Sequence, residues 1–206
     1  GSLGVETTRF AGFELTATGY YQRYRLTDLR DPSPRSPDPL ADDFLINRDA
    51  LSYGLELLVR RPMTQRLFGW LSYTLSNNLR SYGGGAVGPS DWDQRHVFNL
   101  VAGYRWGRTT LGARVHYNTG RPYLIYDGSA TVPHESAVRL PPFYQLDLRV
   151  DRHVYFDKFQ LDLYAELVNA TLTRQVYGLD ASFAPGMVDQ KSFRLVLPSI
   201  GVRAEF

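Results

Sequence analysis

The chain has 206 residues, no cysteine, and a near balance of 23 basic and 21 acidic side chains, which excludes disulfide frameworks and thiolate chemistry and gives no basic stripe for nucleic acid. Mean hydropathy is −0.30, and no apolar run approaches the roughly 20 residues of a membrane helix. Its 14 Tyr and 18 Gly against only 2 Met favour strands with amphipathic rings over a helical core.

The first predicted strand runs from about Ala11 to Tyr24, with Phe13, Leu15, Ala17, Gly19 and Tyr21 alternating with Glu14, Thr16, Thr18, Tyr20 and Gln22. A proline-rich connection follows through Asp31 to Pro39, where each Pro removes a ladder donor. Ala50 to Arg60 is the second strand and Leu67 to Asn77 the third, joined by a short turn at Pro62. Beyond the glycine run Gly83-Gly84-Gly85, the fourth strand spans about Arg95 to Trp106, and a tight turn at Gly107 leads into the fifth, Thr110 to Asn118. Another long loop reaches the sixth strand near Phe143, where Tyr144, Leu146, Leu148 and Val150 oppose Gln145, Asp147, Arg149 and Asp151. The seventh runs from Phe159 to Leu167. The eighth runs from Leu197 to Phe206, with Ile200, Val202, Ala204 and Phe206 on one face.

Connections between these eight segments alternate long and short. The alternation predicts an all-β fold, an antiparallel up-and-down transmembrane β-barrel with short turns on one side and long loops on the other. Strands of about ten residues suit a tilted crossing of the hydrocarbon. Residues 1–206 read as one barrel domain, or as the barrel portion of a larger protein. Gly1-Ser2 lacks a Met and resembles a processing or cloning remnant, and Leu3 to Thr8 read as the stub of an earlier strand.

The polar faces gather Arg60, Arg105, Arg114, Arg149 and Arg203 with Glu14, Glu56, Asp147, Asp151, Asp162, Glu166 and Glu205, and they also hold His116. Together these form the predicted lumen-facing polar network. A lipid-facing Arg or Lys at the bilayer centre costs about 2–4 kcal/mol, so segregation of this kind is what a membrane wall requires. A soluble barrel or sandwich would have to fill its core with the many Tyr of the apolar faces. Aromatics gather at strand ends, Tyr20, Tyr21, Tyr24, Tyr117, Phe143 and Tyr144 at one side and Tyr104, Trp106, Phe159 and Phe206 at the other, as two interfacial girdles would.

Several segments resemble the barrel of TonB-dependent receptors. They are Tyr53-Gly54-Leu55-Glu56-Leu57-Leu58-Val59-Arg60-Arg61-Pro62 with Gly69-Trp70-Leu71-Ser72-Tyr73-Thr74-Leu75-Ser76, the run Asp93 to Leu100, Tyr144 to Val150, and Leu163 to Thr171. The last strand, with Ile200, Val202, Ala204 and Phe206, is similar to the C-terminal signal read by the outer-membrane assembly machinery. The resemblance implies location in the bacterial outer membrane and uptake of a scarce ligand such as a metal chelate or oligosaccharide. It also implies partners: membrane lipid, the assembly machinery, and a plug with further barrel strands, since the family carries 22 strands and an N-terminal plug. The alternative is a small closed eight-stranded barrel with a structural or surface-binding role, its interior filled by side chains.

No catalytic, metal or cofactor site is expected. His116 with Asn118 invites comparison with a barrel hydrolase, but no serine among Ser72, Ser76 and Ser199 is placed beside it by the sequence. His96, His134 and His153 lack metal-ligand spacing. Asp42-Asp43 and Asp91/Asp93 read as solvated loop charge, and Asn169-Ala170-Thr171 is a glycosylation-type match of low specificity.

Overall fold

The structure is a computed structural model that describes residues 1–10, 12–28, 46–62, 66–81, 87–123, 138–181 and 188–205. These form fourteen strands, and no helix occurs among the described residues: β1 Ser2–Phe10, β2 Phe13–Asp28, β3 Ile46–Arg61, β4 Leu67–Ser81, β5 Val87–Pro89, β6 His96–Trp106, β7 Thr109–Asn118, β8 Pro122–Tyr123, β9 Val138–Arg139, β10 Phe143–Tyr155, β11 Gln160–Val168, β12 Gln175–Ala181, β13 Val188–Phe193 and β14 Leu197–Glu205. Nine of them make one antiparallel meander in the order β1-β2-β3-β4-β6-β7-β10-β11-β14, with β5 added to β4. Two small hairpins, β8-β9 and β12-β13, stand within the long connections.

Two expectations need correction. The stub at Leu3 to Thr8 is a full strand, β1, paired with β2 from Ser2↔Tyr20 to Phe10↔Phe13, so the main sheet has nine long strands and not eight. The sheet is also an open path, with β1 and β14 at its two edges, not a closed eight-stranded barrel. The sequence pattern reports which face a residue takes, and that pattern is the same in an open sheet and a closed one.

Register carries the alternation across the sheet. Leu15, Val59, Leu71, Leu100, Val115 and Leu146 stand side by side on successive strands. One step towards the long connections, Tyr73, Phe98, Tyr117 and Tyr144 form an aromatic row. Tyr20 and Phe143, assigned to the same girdle from sequence, instead take the polar face, opposite Gly54 and Asn118.

The apolar face has limits. On β3 it runs from Leu51 to Val59, close to the roughly 9–11 residues of a tilted crossing, with Asp49 beyond one end and Arg61 beyond the other. Arg23, opposite Leu51, and Arg25, opposite Asp49, share that face and pair with Asp49 at 3.0 and 3.5 Å. The Arg23 guanidinium, hydrogen-bonded to Asp49, holds that carboxyl below its ordinary value.

No hydrophobic core lies between two layers among the described residues. Among the described residues only Leu140 and Leu179 are buried apolar side chains, while Ser76, Asp93, Asp147 and Asn169 are buried polar ones. Total accessible surface is 14938 Å², against roughly 9,700 Å² for a folded soluble monomer of this mass. The exposed apolar side chains of the sheet, Leu15, Leu55, Leu111, Leu148, Val150 and Ile200 among them, contribute to that excess.

Close strand approach depends on glycine at two points. A Cβ at Gly54 would stand 2.2 Å from the Leu75 carbonyl oxygen, and one at Gly69, whose φ is +146°, would stand 2.0 Å from that of Val101. At Gly112 the nearest atom is 3.6 Å away. Gly69→Ala should therefore cost about 1–3 kcal/mol, and Gly112→Ala should stay within about 0.5 kcal/mol of the parent. Denaturant unfolding of the two variants measures this, and equal midpoints would contradict the assigned register.

Candidate functional site

The polar face is the candidate site, and β7, β10 and β11 supply most of it. Asp147 lies opposite Arg114 and is 5% exposed. It accepts from Arg114 Nε at 2.6 Å, from Gln145 Nε2 at 2.7 Å, and from the backbone N–H of Asn169 at 2.8 Å. Three donors on one buried carboxylate offset what burial would otherwise cost.

Next to it, Arg149 joins Asp151 at 2.7 Å and Glu166 at 3.3 Å, and its guanidinium lies 4.4 Å from the Tyr164 ring centroid. Towards the short turns, His153 Nδ1 meets Asp162 Oδ1 at 2.7 Å, and Arg203 meets Glu205 at 2.7 Å. Glu14 and Arg60, opposite one another on β2 and β3, approach to 3.4 Å. The sequence-derived network is thus brought together as lateral pairs between neighbouring strands or along one strand. Glu56 and Arg105 form no ion pair among the described residues, and Arg105 lies over the Phe68 ring at 6.0 Å.

Towards the long connections the same face changes chemistry, from ion pairs to neutral hydrogen-bonding groups. Ser72, Asn99, His116 and Gln145 stand in one row across β4, β6, β7 and β10. His116 Nδ1 meets Asn99 Oδ1 at 2.6 Å and its Nε2 meets Asn118 Oδ1 at 3.0 Å. Both ring nitrogens are engaged by amides. Ser72 Oγ contacts Asn99 Nδ2 instead, at 3.3 Å, while the Ser76 hydroxyl donates to Gln94 O. Among the described residues no serine hydrogen-bonds His116 as a nucleophile would. Among the described residues no group of His, Asp and Glu forms a metal cluster. Asp42, Asp43, His134 and Phe206 lie outside the described residues, so the structure describes only Ile200, Val202 and Ala204 of the terminal signal.

Two residues read differently from the sequence, Asp93 and Asn169, organise the long-connection end. Asp93 is 0% exposed. It bonds Arg139 Nη2, accepts the Asn78 N–H at 2.8 Å and lies 4.0 Å from Arg95. Arg139 also donates to the carbonyls of Asp93 and Gly120, so one buried ion pair ties two long connections. This is not the solvated loop charge expected for Asp93. Asn169 follows β11 with φ +58°, a left-handed conformation that Asn tolerates better than most residues. Its amide donates to Thr173 O and Leu195 O at 2.9 Å, and its Oδ1 accepts from Thr171 Oγ1 and Thr173 N at 3.0 Å. That side chain is committed to turn closure and cannot present itself for glycosylation. Only its place directly after an apolar strand hinted at the role.

No protein-family model, curated protein or solved structure matches this chain.

Removing one partner of a buried pair leaves an uncompensated charge, which costs about 3–5 kcal/mol. Asp93→Ala should lower stability by that order and speed limited proteolysis at residues 87–95 and 119–123. Asp93→Asn retains an acceptor for Asn78 N–H and should lose less. Unfolding midpoints indistinguishable from the parent would show that the clamp contributes nothing.

Proposed function

We propose that this chain forms part of the wall of an outer-membrane β-barrel of the TonB-dependent receptor kind and serves ligand uptake across that membrane. The observation that carries this is the inverted distribution of side chains. Ile200 is 86% exposed and Val202 66%, whereas Asp93, Asp147 and Asn169 are buried. Water penalises such an arrangement by roughly 25 cal/mol per Å² of bare apolar surface. In hydrocarbon the apolar face carries no such penalty, and the charged face turns to a wet interior. The antiparallel meander satisfies its interior backbone groups between strands, as a lipid-spanning sheet must. Paired charges and amides on the opposite face suit a passage lined for a hydrated solute: they are pre-bonded to one another yet leave further donors and acceptors directed inward.

The chain has no cysteine, so single cysteines report facing directly. In lipid vesicles, Tyr144→Cys, Leu146→Cys, Leu148→Cys and Val150→Cys should carry fluorophores quenched by a lipid-phase quencher. Gln145→Cys, Arg149→Cys and Asp151→Cys should instead react with a water-soluble maleimide. Loss of the two-residue alternation, with all seven positions wet, would overturn the membrane reading.

A further inference from the structure

The short-turn rim of the sheet holds a set of cations that the lateral ion-pair scheme does not use. Arg61 closes β3 and Arg152 lies near the end of β10. Both take the apolar face, since Arg61 stands opposite Gly69 in the row of Ala102, and Arg152 stands between Thr109 and Leu163. Arg108 and Lys158 occupy the β6-β7 and β10-β11 turns. None of the four makes an ion pair among the described residues. Arg61 lies over the Phe13 ring at 5.0 Å and Arg108 over the Tyr155 ring at 5.7 Å, while Arg152 donates to Thr109 Oγ1 at 2.7 Å. Arg61 Nε is buried without a hydrogen-bond partner, a donor that normally finds an acceptor.

The opposite limit of the apolar face is built differently. There Arg23 and Arg25 share the single carboxylate of Asp49, and Arg80 approaches Asp91 at 3.9 Å. At the short-turn rim these four cations stand without an ion pair among the described residues, with Asp157 the neighbouring carboxylate in the Lys158 turn. That rim also exposes Trp106 and Phe156 on the apolar face, ring types that settle at the headgroup level of a bilayer. Backbone bonds from Arg105 N to Arg66 O and from His153 N to Arg108 O, 2.8 Å each, stitch neighbouring turns into one ledge.

We propose that this ledge binds the phosphate headgroups of anionic phospholipids in the leaflet on the short-turn side. The proposal rests on the membrane-wall reading and adds to it a lipid class and a side. Guanidinium groups donate in pairs to phosphate oxygens. The cation–π contacts hold Arg61 and Arg108 at the boundary without consuming their charge. Basic residues near an anionic lipid surface attract it electrostatically, and salt screens that attraction.

The test uses the full chain in phosphatidylcholine vesicles with spin-labelled phosphatidylglycerol or spin-labelled phosphatidylcholine as probe. The lipid-bound fraction of the electron paramagnetic resonance spectrum should favour phosphatidylglycerol by at least about threefold. Raising salt from about 20 mM to about 500 mM should reduce this preference towards unity. The variant Arg61→Gln/Arg108→Gln/Arg152→Gln/Lys158→Gln should lose the preference at low salt, and Arg23→Gln/Arg25→Gln should retain it. A parent chain that inserts, with the alternating cysteine pattern intact, yet shows no preference would overturn this proposal alone. Failure to insert would overturn the membrane reading with it. A salt-insensitive preference, or one lost equally in both variants, would also overturn the headgroup site.

Discussion

Everything in this molecule depends on an unbroken antiparallel ladder that preserves a two-residue period from strand to strand. From β2 to β7 pairing runs without a register shift, and the shift in the first pair of strands lies between Thr7 and Phe10, near the turn. Because side chains alternate faces strictly, a slip of one residue moves a whole strand's chemistry to the wrong side. On β7 it would exchange Val115 with Arg114, leaving a charge on the apolar face and a bare carboxylate at Asp147. Gly54 and Gly69, where strands pass too closely for a side chain, oppose such slips sterically.

The ladder determines facing, and the buried polar residues determine where the ladder stops. Asp93, Arg139 and Asn169 all lie at the long-connection end: Asp93 holds the Asn78 N–H of β4 and the Arg139 side chain, while Arg139 and Asn169 bond backbone carbonyls of the connections. They close turns whose amides would otherwise be unsatisfied. The opposite end needs less, because its turns are short. There the tight β6-β7 turn places Gly107 at φ +59°, and Phe156 N bonds back to Phe159 O. One sheet therefore has a polar, clamped end and a basic, aromatic end, and its two faces differ just as sharply.

Strand positions, and the face taken by each member of the charged network, were legible in the sequence because period two is a local property. Arg114 with Asp147, and Arg149 with Glu166, stand directly opposite on neighbouring strands, and Arg149 with Asp151 lie two residues apart on one strand, so these pairs follow once the segments are aligned. Strand number and closure were less legible. The run Ser2–Phe10 alternates only weakly, with Thr7 and Thr8 where apolar and polar faces should contrast, so its status as a full strand emerges from pairing to β2. The clamp of Asp93 on Arg139 was not legible at all, because it joins residues 46 apart in sequence across a connection that carries no periodic signal. The cations at the short-turn rim were legible as charges but not as unpaired ones, since pairing depends on which neighbours the register brings near.

Strand parity limits how such a sheet can be completed. In an up-and-down meander alternate strands run in opposite directions, so the first and ninth, β1 and β14, run the same way. Closing the sheet on its own edges would set two parallel strands together, in a ladder slightly weaker per residue than the antiparallel one. Placing β14 of one copy beside β1 of another gives the same parallel seam. An all-antiparallel wall is obtained only if an odd number of further strands separates the two edges, bringing the total to the even count usual for bacterial outer-membrane barrels. Both edges are suited to such additions. Leu3 and Val5 on β1, and Ile200 and Val202 on β14, are among the most exposed apolar side chains of the molecule, and each edge continues the alternation of the wall, so a strand added there would extend both the apolar face and the polar one.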